Sequence, residues 1–371
     1  MDRRKFVASL GLGGAAAALA ACAPSECEQS GVAADGPRFR WQMVMTWPRN
    51  FPGLGTGAEN FTKLVRQLSH GRLDIRVHGA GELVPAMEVF DAVSAGSAEV
   101  GHGAAYYWRG KHPAAPFFTS VPFGLNAQEM NAWLHHGGGQ ALWDELYAGF
   151  NLKPFACGNT GVQMAGWFNK DINSVSDLRG LKMRIPGIGG AVFRRVGGVP
   201  VQLPGGEVFT ALQTGVIDAA EWVGPWNDLA FGFHRITKNY YYPGWQEPGP
   251  TLELIINRDK WDSLPEDLQA VVRVASRAIN QDMLDEFTAR NNDALNELVE
   301  RHGVQLKKLP EDVLAALHQA SVDEVEEIAA TGEFAKRVRD SYRAFEKKVA
   351  AWHAISEEPY YGIRSQMMGQ G

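Results

Sequence analysis

The 371-residue chain is poor in cysteine and contains no block of basic residues. Its three cysteines are Cys22, Cys27 and Cys157. Isolated thiols cannot build a disulfide framework, and an iron–sulfur cluster usually needs four thiolates. The formal net charge is −6, and without a Lys/Arg cluster there is no electrostatic footprint for a polyanion. We therefore expect no nucleic-acid partner.

Motifs of common enzyme classes are also missing. Neither G-x-S-x-G nor H-E-x-x-H occurs, and the pair His135–His136 has no third His or Cys at ligand spacing. Residues 53–58 match the glycine pattern of a dinucleotide-binding turn, but no acidic residue ends a second strand at the required distance. We interpret this segment as a glycine-rich turn and expect the protein not to be an enzyme.

The N-terminus carries an export pattern. The basic residues Arg3, Arg4 and Lys5 precede an uncharged run of about 15 residues, 7–21, as in signal peptides. This run is too short to span a bilayer as a helix, and no later apolar run reaches about 18 residues. The paired arginines resemble a twin-arginine signal. Residues 19–22 (LAAC) resemble a lipobox, with an ordinary cleavage site as the alternative.

These features predict a signal peptide over residues 1–22 and a polar tether over residues 23–36. We expect a periplasmic protein, exported by the twin-arginine-like signal and anchored by a lipid on Cys22.

Strand-like and helix-like segments alternate along the rest of the chain. Residues 38–47 read as a strand, 53–57 as a loop and 58–68 as an amphipathic helix. A second α/β unit begins near Leu152, and the two units predict a two-lobed α/β clamshell. Ligands of open α/β sheets bind beyond the carboxyl ends of the strands, which would face each other across the cleft. The expected boundaries are 37–155 with 217–250 for the first lobe, 156–216 with 251–330 for the second, and 331–371 for a C-terminal helix and tail.

Arg184 is the candidate anion-binding residue. It lies near the end of the apolar strand 182–185, which Pro186 follows, and its side chain would point into the cleft. The planar guanidinium can bind a carboxylate with two hydrogen bonds. A solvated surface arginine is the alternative.

Residues 180–184 (GLKMR) and 204–222 form two distinctive blocks of the sequence. They resemble the DctP family, the receptors of TRAP (tripartite, ATP-independent) carboxylate transporters, and residues 180–184 look like its signature. The resemblance covers essentially the whole chain after the signal. Residues 158–163 and 240–245 are similar to the TakP-like subgroup, which binds 2-oxo acids or lactate with a cation. The resemblance implies a type II-like periplasmic-binding-protein fold with long C-terminal helices. It also implies delivery of a small monocarboxylate, such as pyruvate or lactate, to a membrane permease.

The resemblance further implies a set of site residues. Arg184 would bind the ligand carboxylate, with Tyr106 or Tyr107 as the aromatic contact. The cation ligands would be Gln163, Glu221, the backbone carbonyl of Trp222, and Glu247. Gln163 and Trp222 would also contact the substrate.

The chemistry of these residues supports a cation. Glu221 and Glu247 would repel an anion in the same cleft, and a cation between them removes that conflict. Hard oxygen ligands suit Na⁺ or Ca²⁺. A dicarboxylate, an aromatic acid or an amino acid is the alternative ligand. An enzyme is the rival from another class, and a structural envelope lipoprotein is the rival from a third.

An apolar stripe marks the C-terminal helix. Its residues recur at spacings of 4, 3, 4 and 3, as in a coiled-coil seam. Packing of the stripe on its own chain is the alternative to a subunit interface. Following the subgroup that it resembles, we predict a homodimer built through this helix. The stripe consists of Val338, Tyr342, Phe345, Val349 and Trp352.

Overall fold

The computed structural model describes residues 36–369. The expected signal and lipidation site, including Cys22, lie outside the described residues. The strands of the described part are β1 (Phe39–Met45), β2 (Leu73–His78), β3 (Val100–Gly103), β4 (Leu152–Asn159), β5 (Gly166–Phe168), β6 (Lys182–Arg184), β7 (Val199–Val201), β8 (Ala219–Ala220), β9 (Asn239–Tyr242), β10 (Thr251–Asn257) and β11 (Gln305–Lys308). The helices are α1 (Leu54–Leu68), α2 (Val89–Ser94), α3 (Ala127–His136), α4 (Gly139–Ala148), α5 (Gly187–Arg195), α6 (Gly205–Gln213), α7 (Pro225–Phe231), α8 (Arg258–Asp262), α9 (Glu266–Asn296), α10 (Glu311–Ala330), α11 (Glu333–His353) and α12 (Glu357–Met368).

The strands form two sheets, which confirms the two-lobed α/β prediction. The first has the order β2-β1-β3-β10-β4 and the second the order β11-β9-β5-β8-β6-β7. We call the elements packed on these sheets the first and second lobes. Strands β3, β4 and β10 are almost entirely buried. Helices α4 and α9 pack on the edge strand β4, and α2 packs on β3 and β10.

Three strands lie in a different lobe from the one expected. Strand β10 belongs to the first sheet, where it runs antiparallel between β3 and β4, whereas residues 251–330 were assigned to the second lobe. Strands β8 and β9 belong to the second sheet, although residues 217–250 were assigned to the first. The chain therefore crosses between the sheets after β4, β9 and β10. An apolar strand joins one sheet or the other through pairing with strands that are distant in the chain. The hydrophobic pattern of the strand itself therefore does not predict its sheet.

The glycine-rich segment belongs to helix α1 rather than to a loop. The helix begins at Leu54, inside the 53–57 segment. A Cβ atom at Gly55 would lie 2.6 Å from the backbone carbonyl oxygen of Pro48, a distance that no side chain tolerates. Close approach of the helix to the preceding turn therefore accounts for this glycine.

Long helices join the two lobes. Helix α9 packs on β4 and α1 of the first lobe and reaches α7 of the second. Helix α10 packs on α5 of the second lobe and on α11, which lies against α3 and α4 of the first. None of the helices in residues 36–369 combines the length and the apolar character needed to cross a membrane.

The C-terminal stripe divides into two parts, which corrects the prediction of one continuous subunit seam. Val338 and Tyr342 are fully buried in their own chain, and the Tyr342 hydroxyl accepts a hydrogen bond from the Leu125 amide at 2.7 Å. Phe345 and Val349 pack partly against the same core. Trp352 is 59% exposed, and helix α12 beyond it buries no residue. The first half of the stripe thus follows the alternative, own-chain packing.

Candidate carboxylate and cation site

Arg184 is a buried residue at the carboxyl end of β6 in the second sheet. It is 1% exposed, which excludes the surface alternative. Its Nη1 donates to the backbone carbonyl of Glu221 at 2.8 Å and to Oε2 of the same residue at 3.1 Å. Its Nη2 donates to the Tyr107 hydroxyl at 3.3 Å. Because Tyr107 follows β3 of the first lobe, Arg184 joins the two lobes at the carboxyl ends of their strands.

The indole of Trp222 supports the arginine. The guanidinium carbon of Arg184 lies 4.9 Å from the centre of the Trp222 ring, a cation–π distance. The ring occupies the space that a side chain at Gly205 would need, since a Cβ there would approach it to 2.3 Å. The glycine at the start of α6 therefore lets the indole lie against the arginine.

Gln163 and Glu247 are neighbours in the loops that precede β5 and follow β9. The Gln163 amide nitrogen donates to the Glu247 carbonyl at 3.1 Å. Gln163 Nε2 donates to Oγ1 of Thr160 at 3.1 Å, and the Thr160 hydroxyl donates to the Gly161 carbonyl at 3.1 Å. This chain of bonds sets the orientation of the Gln163 amide and leaves Oε1 available. Sequence reasoning did not identify Thr160, although it lies within the quoted segment 158–163.

Three oxygen atoms of this cluster are buried acceptors without a hydrogen-bond partner in the described part of the chain. They are Gln163 Oε1, Glu221 Oε1 and Glu247 Oε2. Buried polar atoms are normally paired, because leaving one unpaired costs about 1–3 kcal/mol. Three hard oxygens on neighbouring residues are the ligand type that Na⁺ and Ca²⁺ prefer. The residues present therefore fit such a cation.

The pKa shifts of the two carboxyl groups, Glu221 and Glu247, also favour a bound cation. Burial raises the pKa of Glu247 to about 8, although Arg184 opposes the shift. Burial, and then the charge of Glu247, raise the pKa of Glu221 well above its usual range. A positive charge nearby would favour the ionised form of both groups. Within residues 36–369 no group of three His, Cys, Asp or Glu side chains could hold a metal. The expected cation site therefore also needs the side-chain amide oxygen of Gln163 and the backbone carbonyl of Trp222.

The first lobe contributes phenols rather than charges. Tyr106 and Tyr107 lie in the short 3₁₀ turn Ala105–Trp108, with ring centres 4.7 Å apart in an edge-to-face arrangement. Tyr107 contacts Arg184, whereas Tyr106 packs against Gly187 at the start of α5. The structure thus brings the predicted residues of both lobes together, and their contacts with a ligand stay a prediction.

Comparisons with known proteins agree with this arrangement. The family DctP, described as bacterial extracellular solute-binding protein, family 7, matches residues 43–331. The chain is 44% identical over 366 residues, covering 98% of its length and 99% of the relative, to a monocarboxylate 2-oxoacid-binding periplasmic protein of Nostoc sp..

Two solved structures are similar over nearly their whole length. A TRAP periplasmic solute-binding protein from Pseudoalteromonas atlantica, with bound sodium and pyruvate, has a TM-score of 0.85 and 41% identity, covering 88% of this chain and 99% of the other. A TRAP solute-binding protein from Bordetella bronchiseptica, a mixed-occupancy dimer with copurified calcium and picolinate, has a TM-score of 0.89 and 37% identity, covering 90% and 99%.

Proposed function

The chain belongs to the DctP family of bacterial extracellular solute-binding proteins, and from that premise we propose that it binds a small 2-oxo or 2-hydroxy monocarboxylate together with a cation. The TRAP permease would then receive the ligand from the closed receptor. The observation that carries this proposal is the set of three unpartnered buried oxygens beside Arg184. A receptor of this kind changes the position of its ligand and not its covalent structure.

Each lobe has a distinct part in binding. Arg184 would hold the ligand carboxylate with Tyr107 and Tyr106, and closure of the lobes would exclude water from that ion pair. Gln163 Oε1, the two glutamates and the Trp222 carbonyl would hold the cation, which is Na⁺ or Ca²⁺ on the chemistry of its ligands. When bound, the cation would offset the negative charge of Glu221 and Glu247 and accept two adjacent oxygens of the ligand.

An aromatic acid is the second candidate ligand. The Bordetella bronchiseptica protein, 37% identical to this chain, contains picolinate with calcium. Picolinate presents a ring nitrogen next to its carboxylate, so it can chelate a cation as a 2-oxo acid does. A C4-dicarboxylate is less well supported, since the dicarboxylate-binding relative from Rhodobacter capsulatus is 24% identical.

A thermal-shift screen tests the proposal. Pyruvate, lactate, picolinate, succinate and an amino acid are added with and without Na⁺ or Ca²⁺. The bound acid should stabilise the protein by about 3 kcal/mol at 100 times its dissociation constant, and only when the cation is present. Recovery of the acid unchanged after incubation separates a receptor from an enzyme. Absence of a shift with every acid would contradict the proposal and favour a structural role.

The location follows from the family and from the N-terminal pattern. We propose a periplasmic protein anchored by a lipid on Cys22, exported through the twin-arginine-like signal. Mass spectrometry of the processed protein should find Cys22 as the first residue, bearing diacylglycerol and an amide-linked third chain, which together give firm attachment. The Cys22→Ser variant should lose the lipid mass and leave the membrane fraction. An unmodified wild-type chain starting elsewhere would indicate a freely diffusing periplasmic protein.

We also propose a homodimer, with helix α12 and the end of α11 as the interface. Apolar side chains are exposed along this segment, including Trp352 at 59%, Ile363 at 56% and Met367 at 68%. Exposed apolar area of this extent on one segment is typical of a protein interface. The Bordetella bronchiseptica relative forms a dimer.

Light scattering should find a dimer at micromolar concentration. Ile363→Glu with Met367→Glu should give a monomer, because two charges would be buried in the interface. Ser365→Glu should leave the dimer intact, because position 365 is two residues from both 363 and 367 and lies on the opposite face of the same exposed helix. Truncation before Glu333 is unsuitable as a test, because it would remove the buried Val338 and Tyr342. A monomeric wild-type protein would exclude the dimer.

A further inference from the structure

Each lobe contains a buried carboxylate held by one tryptophan and one tyrosine. In the second lobe, Oδ2 of Asp228 accepts hydrogen bonds from Trp167 Nε1 at 3.0 Å and from the Tyr240 hydroxyl at 2.7 Å. In the first lobe, Glu253 accepts from the same two donor types: the indole of Trp108 and, at 2.8 Å, the hydroxyl of Tyr147. The two acids are 1% and 0% exposed.

Burying a carboxylate without a cationic partner costs free energy. Within residues 36–369 neither acid has a cationic partner within salt-bridge distance, and burial raises the pKa of Asp228 to about 6 and that of Glu253 to about 7. An apolar residue of similar size would often fill a core position at lower free energy. Each acid, however, accepts a hydrogen bond from a residue next to one of the candidate site: Asp228 from Val223, beside Trp222, and Glu253 from Trp108, beside Tyr107.

Asp228 controls the peptide unit that follows Trp222. Its Oδ1 accepts a hydrogen bond from the Val223 amide at 3.3 Å, while the Val223 carbonyl accepts one from the Met164 amide at 2.9 Å. The Val223 N–H and the Trp222 C=O belong to one planar trans peptide and point in opposite directions. Because Asp228 holds the N–H, it also sets the direction of the Trp222 carbonyl, one of the expected cation ligands.

The stacked donors make this anchor rigid. Trp167 and Tyr240 are paired residues of β5 and β9, and their rings stack with centres 4.1 Å apart. Asp228 therefore ties the loop after β8 to two neighbouring strands of the second sheet.

Glu253 has the corresponding place in the first lobe. It lies on β10, and the indole that it holds belongs to Trp108, the last residue of the turn Ala105–Trp108. That turn carries Tyr106 and Tyr107, and the Tyr107 and Trp108 rings are 6.1 Å apart. Fixing Trp108 thus limits how far the two phenols can move.

We propose that Asp228 and Glu253 are positioning residues, one behind each half of the site. Asp228 orients the Trp222 carbonyl toward the cation, and Glu253 holds the tyrosine pair toward the ligand carboxylate. The inference rests on the proposed function, and it predicts that disturbing one anchor affects one half of the site.

Two chemically identical substitutions test it. Tyr240→Phe and Tyr147→Phe each remove one phenolic donor from a buried carboxylate. Tyr240→Phe should lower the Ca²⁺ affinity of the pyruvate-free protein about tenfold, the usual effect of losing an outer-shell partner. Its pyruvate affinity at saturating Ca²⁺ should stay within about twofold. Tyr147→Phe should show the reverse, with pyruvate affinity about tenfold lower and Ca²⁺ affinity unchanged. Both affinities are measured by calorimetry.

A third tyrosine provides the matched control. Tyr241 is buried on the same strand as Tyr240, but its hydroxyl accepts from the Ile172 amide, away from the site. Tyr241→Phe should change neither affinity, even where it lowers the unfolding midpoint. The carboxylate variants Asp228→Asn and Glu253→Gln should show the same split as the two tyrosine variants.

The possible results distinguish failure of the proposed function from failure of the positioning role of Asp228 and Glu253. A wild-type protein that bound neither Na⁺ nor Ca²⁺, and no 2-oxo or 2-hydroxy monocarboxylate in the presence of either, would refute the proposed function, and this inference with it. A wild-type protein that bound one of these cations and one of these acids, with variants that lowered both affinities equally or lowered neither, would overturn the inference alone.

Discussion

Arg184→Ala is expected to weaken binding of the cognate carboxylate by at least about 2 kcal/mol, or about thirtyfold in dissociation constant. The guanidinium is buried, and the ligand carboxylate would lose its charge-assisted hydrogen bonds in a site shielded from bulk solvent. Calorimetry on the purified variant measures the loss. Affinity close to that of the wild-type protein would show that another residue binds the carboxylate.

The same substitution should also destabilise the ligand-free protein. Without Arg184, the Glu221 carboxylate loses its partner at 3.1 Å while staying fully buried. Leaving such a buried hydrogen-bond acceptor unpaired typically costs about 1–3 kcal/mol of unfolding free energy. Arg179→Ala is the matched control, because Arg179 lies on the surface of the same segment, and it should change neither quantity measurably. Arg184→Lys keeps the charge but loses the planar pair of donors, so its affinity should be intermediate.

Removal of Na⁺ and Ca²⁺ is expected to reduce carboxylate affinity about a hundredfold, to the point where calorimetry detects little heat. Without the cation, the ligand anion would enter a site that already holds two carboxyl groups, and any ionised fraction of these would repel it. Readdition of Ca²⁺ or Na⁺ should restore binding. Equal affinity in fully stripped protein would assign Glu221 and Glu247 another role, such as hydrogen bonding between segments.

Single substitutions test which carboxyl groups the cation-dependent binding requires. Glu247→Gln and Glu221→Gln should each lower cation affinity, and carboxylate affinity with it, because a neutral amide oxygen is a weaker ligand than a carboxylate. Glu207→Gln is the control, since Glu207 is exposed on α6, and it should bind the cation and the carboxylate as the wild-type protein does.

Cation binding should depend on pH with a defined sign. Burial raises the pKa of Glu247 to about 8 in the cation-free protein, so this group is largely protonated at pH 7. Uptake of the cation requires the ionised form and therefore releases protons. The apparent cation affinity should rise as the pH increases from 6 to 9, and the Glu247→Gln variant should show a weaker dependence. Calorimetry in buffers of different ionisation enthalpy counts the protons released.

Part of the site could be predicted because its residues occur in contiguous segments. The resemblance over 158–163, 180–184 and 204–222 pointed to the family, and the comparisons confirm it. Arg184 could also be singled out from local chemistry, as a cation that ends an apolar strand before a proline. Thr160 was missed because its role depends on one hydrogen bond to a neighbouring amide, and a lone threonine carries no pattern.

Asp228 and Glu253 were missed for a different reason. Each has at least one partner far away in the sequence: Trp167 is 61 residues from Asp228, and Tyr147 is 106 residues from Glu253. No periodicity or spacing reports such contacts, since they exist only once the sheets have paired.

The sequence by itself determined the alternation of strands and helices, the export pattern and the family, because each depends on the order of neighbouring residues. The tertiary structure alone decided the rest. It placed β10 in the first sheet and β8 and β9 in the second, since strand pairing is chosen by partners distant in the chain. It also divided the C-terminal stripe, burying Val338 and Tyr342 in a core that local spacing cannot distinguish from a subunit interface. The apolar face of a helix packs against another surface. Whether that surface belongs to the same chain or to a second subunit depends on the tertiary structure and cannot be inferred from local spacing.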